Sequence, residues 1–345
     1  MLVAQLLTTH KLGGAERVAL TLCQIQDPQL EFVYVAPDGD IADIARQNGV
    51  DFLPLKGDFG AASVREAFGR RRPDLVHGHD YRGSVVASMA APRGVPVISH
   101  IHTVWPWSSS WNLRTAVYVT RAGRYSRVIA SSQTIADAIS FAKAIRQKVM
   151  VVRNGVDLER VRGGAGERVT ESDLIFVGRL EPQKDPLRFI RVVHLLRKAK
   201  PEVQAVLVGD GTLRGECERL IRDLGLENNA HLLGFQGNPY GYIAASKVLL
   251  ATSIQEGFGL GVAEAMALGK PVITSDLPAF HELVQEVSGF ICKSENAMAA
   301  QAWNLLKEPQ LALEMGKAGA AYIEAEVTVQ HQTSAIAAEY KRLLS

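Results

Sequence analysis

The chain has 345 residues, 47% of them apolar and 21% charged, with a formal net charge of +2. Those values describe a soluble globular protein long enough for two domains, and no apolar run approaches the roughly 18 residues of a membrane-spanning helix. Its three cysteines, Cys23, Cys217 and Cys292, are isolated, which argues against a disulfide framework or a zinc site and fits a reducing cytoplasm.

The first residues, Leu2–Thr8, read as a strand, with neither the basic start nor the cleavage site of a signal peptide. Gly13-Gly14-Ala15-Glu16 then opens a helical pattern over Ala15–Gln26. That loop brings backbone close to a phosphate or sugar, or simply turns the chain; its spacing is not that of a dinucleotide fingerprint. Strands over Phe32–Ala36, Leu75–His77, Val95–His100, Val128–Ala130 and Val149–Val152 alternate with helices over Ile41–Asn48, Val64–Arg71 and Gly83–Ala90. Asp38-Gly39-Asp40 sits among turn residues and reads as a turn rather than a metal motif. The alternation predicts a parallel sheet covered on both faces.

Two histidine clusters end strands of this half, His77-Gly78-His79-Asp80 and His100-Ile101-His102. They suit hydrogen bonding to a sugar. The HxH spacing also admits a metal, but only Asp80 backs it, and no metal is expected. Trp105, Trp107 and Trp111 follow His102 closely; aromatics stack on sugars, sit at membrane interfaces or fill a core. From Tyr81 to Ala136 there is no Asp or Glu, while Arg82, Arg93, Arg114, Arg121, Arg124 and Arg127 accumulate. Such a segment reads as an anion-facing surface or as a basic face with no partner; no nucleic-acid motif accompanies it.

The glycine-bearing stretch 161–172 is the expected linker, after which the alternation restarts. Strands are expected at Leu174–Val177, Ala205–Val208, His231–Leu233, Val248–Ala251 and Pro271–Thr274. Helices are expected at Pro186–Lys198, Leu213–Leu224, Tyr240–Ala245, after Gly261, and at Val329–Leu344. The domains are thus expected at 1–160 and 173–328, with a C-terminal helix over 329–345 that docks back on the first, and a ligand cleft between them. Arg179 and Lys184 end the first strand of this half and can converge on a diphosphate, or lie in a solvated loop. Glu256 and Glu264 flank Gly257, Gly259 and Gly261 before a helix. Backbone N–H groups and a helix dipole suit a phosphate, and two acids suit hydroxyls, so the pattern points to a nucleotide-sugar.

In this order, the motifs make the chain resemble the family-4 retaining nucleotide-sugar glycosyltransferases of GT-B architecture, two Rossmann-like α/β domains facing across a cleft. The resemblance runs from Gly13-Gly14-Ala15-Glu16-Arg17 through Arg153-Asn154-Gly155-Val156-Asp157, Val177–Lys184, Gly209-Asp210-Gly211 and Leu233-Gly234-Phe235 to Glu256 and Glu264. Arg153 replaces the usual proline, and Ser275–Glu282 departs from the usual turn. The resemblance implies that Arg179 and Lys184 hold the donor diphosphate, Glu264 the ribose and Glu256 the sugar hydroxyls. Backbone of Phe258, Gly259 and Leu260 would face sugar and phosphate. Gly14 and Gly209 would border the donor, Leu233 and Phe235 the base, and His102 the reacting side of the sugar. Catalysis would fall to His102, Arg179, Lys184 and Glu256, with no metal or cofactor.

The expected activity is transfer of a sugar from a nucleoside diphosphate to a hydroxyl of a saccharide or lipid-linked acceptor, with retention. Polysaccharide or lipopolysaccharide assembly at the inner membrane face would suit the basic, Trp-bearing half. Glu16, His79, Trp105, Trp107, Trp111 and Arg114 are the acceptor-side candidates. No carboxylate nucleophile is evident beside His102 in the sequence. The alternatives are a nucleotide-sugar epimerase and a non-catalytic sugar- or lipid-binding relative.

Overall fold

The computed structural model describes residues 1–103, 110–166 and 169–345. The chain divides into two units, Met1–Asn154 with Val329–Ser345, and Gly155–Thr328.

In the first unit the strands are β1 (Leu2–Leu6), β2 (Glu31–Pro37), β3 (Phe52–Leu55), β4 (Leu75–His79), β5 (Val97–Ile101), β6 (Tyr125–Ala130) and β7 (Val149–Val151). They form one parallel sheet in the order β3-β2-β1-β4-β5-β6-β7. β1, β4 and β5 are buried at every position, as strands covered by helices on both faces must be. The strand order reverses between β1 and β4, where a parallel sheet leaves a crevice at its carboxyl edge. β3 escapes the sequence reading because Pro54 interrupts it; it lies at the sheet edge, where a missing N–H is tolerated.

The helix Val329–Leu344 belongs to this unit. Its Ile336 and Tyr340 pack with Val3, Leu75, Ile98 and Ile129, and its Glu339 accepts from Arg127 Nε at 2.6 Å.

The second unit holds β8 (Ser172–Val177), β9 (Ala205–Val208), β10 (Ala230–Gly234), β11 (Ser246–Ala251), β12 (Val272–Ser275) and β13 (Gly289–Cys292). Their order is β10-β9-β8-β11-β12-β13, again parallel, with the reversal between β8 and β11. β13, an edge strand four residues long, carries too short an apolar run to stand out from its neighbours in the sequence.

The chain enters this unit at Gly155 and leaves it at Thr328. Val156 bridges Thr328 there, and its N–H donates to Val327 O at 2.8 Å. The stretch expected as a linker therefore starts inside the unit. Leu158–Gly164 is a helix whose first turn is capped by the Asp157 carboxylate, accepting from Arg160 N at 3.0 Å. Val161, on its inner face, is fully buried. Among the described residues no helix is long and apolar enough to cross a membrane.

Candidate active site

In the second unit the loops after β8 and β11 meet at the point where the strand order reverses. Ile254 N donates to Gln183 O at 2.9 Å, and Thr252 Oγ1 donates to Asp185 O at 2.8 Å. These bonds lock the two loops and bring Lys184 Nζ onto Glu256 Oε2 as a salt bridge. Ser253 Oγ donates to the same carboxylate oxygen at 3.3 Å. Both members of the pair are mostly shielded, Lys184 at 22% and Glu256 at 16% exposure. Beside them lies a small pocket lined by Val177, Lys184, Ser253, Glu256, Gly259 and Gly261.

Gly259 is the N-cap of the helix Leu260–Ala267, with φ +97 and no side-chain cap. A Cβ there would lie 2.9 Å from the Phe280 ring, so both conformation and space call for glycine. The pocket thus has a helix N-terminus, with its partial positive charge, next to a lysine.

One turn further, Glu264 is 7% exposed. Its carboxylate accepts from Tyr240 Oη at 2.9 Å and pairs with Arg160 at 3.5 Å, the Arg160 guanidinium lying over the Tyr240 ring. The loop after β9 is stitched to the one after β8. Leu180 N donates to Asp210 O and Leu213 N to Leu180 O, both at 2.9 Å. A Cβ on Gly209 would fall 1.8 Å from Gly178 O, so that backbone approach requires glycine. Arg179 is exposed at the mouth of this loop, and Phe235, past the end of β10, is 75% exposed.

The first unit carries different chemistry at its own reversal. His77 and His79 on β4 and His100 and His102 around the end of β5 share one side of the sheet, with His79 opposite His100 in register. His79 Nδ1 contacts His102 Nε2 at 2.8 Å and His79 Nε2 contacts Gln5 Oε1 at 2.9 Å. Tyr340 Oη lies 2.6 Å from His77 Nδ1 and accepts from Gln5 Nε2 at 2.8 Å. Burial holds His77 down at about 3 and keeps His79, His100 and His102 below the usual histidine range; the Asp80 carboxylate pulls His102 the other way. Asp80, with φ +56, accepts from the backbone N–H of His102 at 3.0 Å.

Two family models divide the chain between them. "Glycosyltransferase Family 4" matches residues 12–160, and "Glycosyl transferases group 1" matches residues 159–322. The chain belongs to the family-4 glycosyltransferases of GT-B fold. D-inositol 3-phosphate glycosyltransferase of Streptomyces avermitilis is 28% identical over 333 residues, covering 82% of this chain and 70% of the relative. The Escherichia coli UDP-Gal:alpha-D-GlcNAc-diphosphoundecaprenol alpha-1,3-galactosyltransferase is 26% identical over 258 residues, covering 66% of this chain and 65% of the relative. Among solved structures, Anabaena HepE in complex with UDP-glucose superposes with a TM-score of 0.86 at 23% identity, covering 99% of this chain and 100% of its own.

In this glycosyltransferase the donor-side candidates of the second unit gather around one pocket and its neighbouring loops. Phe258 is buried in the core at 5% exposure, so of the residues expected at the donor it offers backbone and not its ring. In the first unit Gly14 begins the helix Gly14–Cys23, and Glu16, 9% exposed, lies in that helix's first turn.

Three placements bear on the expectations for the first unit. Asp80, 22 residues away in sequence, accepts from the backbone N–H of His102 through the β4–β5 pairing. His79 is 2% exposed, and both of its ring nitrogens are engaged, by His102 and by Gln5. In the acid-free segment Arg127 meets Glu339 from the far end of the chain, a carboxylate that Arg342 also pairs with, while Arg121 donates to Ser88 Oγ at 2.9 Å and Arg82 to Phe59 O at 3.1 Å, neutral acceptors that leave both charged. Trp105 and Trp107 lie outside the described residues. Trp111 is 65% exposed, one edge against Phe141, and Arg114 is exposed in the first turn of the helix Leu113–Thr120. Tyr240 and Arg160, the partners of Glu264, were missed because neither sits in a recognisable motif.

Proposed function

We propose that this glycosyltransferase moves a sugar from a nucleoside diphosphate to a hydroxyl of a saccharide or lipid-linked acceptor, with retention at the anomeric carbon and without a metal. The observation that carries the reading is the Lys184–Glu256 pair beside the uncapped helix N-terminus at Gly259. As the bond between the anomeric carbon and the diphosphate breaks, negative charge builds on the leaving phosphate. Lys184, Arg179 and the helix N-terminus are the positive groups that stabilise it. Glu256 keeps Lys184 in place before the donor arrives and accepts from sugar hydroxyls once Lys184 turns to phosphate. Glu264, already fixed by Tyr240 and Arg160, takes the ribose hydroxyls, and exposed Phe235 offers a ring to the base. His102, with Asp80 on its backbone, serves the reacting side of the sugar.

UDP is the nucleotide to test first, because HepE was crystallised with UDP-glucose and the similar galactosyltransferase is named for UDP-Gal. A thermal-shift series with UDP, GDP, ADP and their sugars reads the donor directly, since a ligand of the folded state raises Tm. A shift with one nucleotide is expected; none with any of them removes the reading. Production of a free epimerised nucleotide-sugar without acceptor would favour the epimerase alternative.

A role in cell-surface polysaccharide or lipopolysaccharide assembly, at the inner membrane face, rests on a separate observation. Leu113 at 82%, Trp111 at 65% and Val117 at 43% exposure form an apolar stretch with Arg114 among them. Such a stretch suits the headgroup region of an anionic bilayer. Sedimentation with anionic vesicles at low salt tests it, and protein left wholly in the supernatant contradicts it.

A further inference from the structure

His77, His79 and His100 have no part in the sugar transfer proposed above. A neutral imidazole carries one N–H and one lone pair, and burying either without a partner is costly. Here His77 Nε2, both nitrogens of His100, and His102 Nδ1 are buried with no hydrogen-bond partner among the described residues. His77 and His100 are fully buried, and their rings stack at 5.2 Å between centroids. An apolar side chain would fill the His100 position without stranding two polar atoms, so the group calls for a ligand.

We propose that His77, His79 and His100 bind one divalent transition-metal cation of the Zn²⁺ type, as a structural site in the first unit separate from the donor pocket. One ring nitrogen from each lies within 4.8 Å of the others. A tetrahedral zinc with bonds of about 2.0–2.1 Å needs its nitrogens about 3.4 Å apart, so binding requires the rings, now 10–32° from parallel, to turn toward a common point. Two features fit. His77 keeps Nε2 free for the cation while Nδ1 is oriented by Tyr340 Oη at 2.6 Å, the outer hydrogen bond that ligating histidines commonly make. The set is all nitrogen, which suits a borderline cation over Mg²⁺ or Ca²⁺. His79 exchanges one of its present bonds, to His102 or to Gln5, for the cation. The cation would then tie β4 to β5 directly beneath His102.

The test uses the full-length protein, stripped with a chelator and titrated with Zn²⁺ and separately with Co²⁺. One equivalent bound per chain, with a tetrahedral Co²⁺ absorption band, is expected. His100→Phe and His77→Phe, each checked for native circular dichroism, should lose at least 100-fold in affinity. Should neither variant fold, X-ray absorption of the Zn²⁺-loaded wild type gives the answer, with imidazole nitrogens expected around the metal. No binding by the wild type, undiminished binding in both folded variants, or a metal shell without imidazole would each overturn the site.

Discussion

Beside the reversal of the first sheet, β4 and β5 gather four neutral imidazoles around Gln5 and Tyr340; at the reversal of the second, Lys184 and Glu256 meet as an ion pair next to a helix N-terminus. The strand order around both points is the same, three strands to one side and the rest to the other. Architecture therefore fixes where a ligand can sit, and the side chains at the strand ends decide what it is. Opposite charges held close in a partly shielded pocket are poised for a ligand that is itself charged and hydroxylated. Uncharged rings with stranded nitrogens are poised for something that satisfies lone pairs.

The sharpest way to break this contrast is at Lys184. Lys184→Ala removes a cation from the leaving phosphate and leaves Glu256 without its partner, and kcat/KM should fall by about 10²- to 10³-fold or more. A loss under fivefold in a sugar-transfer assay would put the donor elsewhere. Glu264→Ala comes next. It strips Tyr240 Oη and Arg160 of a buried partner, so donor affinity should drop by about 10- to 100-fold and stability by roughly 1–3 kcal/mol. Calorimetric titration and a urea melt separate the two effects.

The histidine face gives a pH signature in the metal-free protein. These imidazoles are neutral in the folded chain, His77 down to about 3, whereas in the unfolded chain they protonate near pH 6.5. Below that pH the unfolded state binds more protons, so stability present at pH 7 is lost as pH falls. The slope is about 1.4 kcal/mol per pH unit for each histidine kept neutral. Chemical melts from pH 7.5 to 5 should show a steep decline that His77→Phe flattens; a flat wild-type profile would mean the rings are charged or solvated when folded. The smallest effect belongs to the surface. Leu113→Ser should change stability by under about 0.5 kcal/mol while lowering any vesicle binding, because the side chain is 82% exposed.

Much of this was legible in the sequence. The β-branched runs ending in glycine or histidine announced both sheets, and the two edge strands β3 and β13 escaped because Pro54 breaks one pattern and the other is four residues long. Most of the residues proposed for the donor stand out in the sequence because they crowd into two local motifs, Val177–Lys184 and Glu256–Glu264. What could not be read were contacts made across the sheets. Asp80 reaches His102 through strand pairing, Glu339 neutralises Arg127 from 212 residues away, and Tyr340 returns on the last helix to His77. The one acidic partner described for that acid-free stretch, Glu339 on Arg127, comes from the last helix and is invisible in the local sequence.

At the reversal of the second sheet the proposed donor site would hold the diphosphate. Isothermal titration of UDP and a UDP-sugar into wild type, Lys184→Ala and His100→Phe tests it most directly. Lys184→Ala is expected to lose the binding isotherm while folded His100→Phe keeps affinity close to wild type. UDP binding equal in Lys184→Ala and wild type would contradict it.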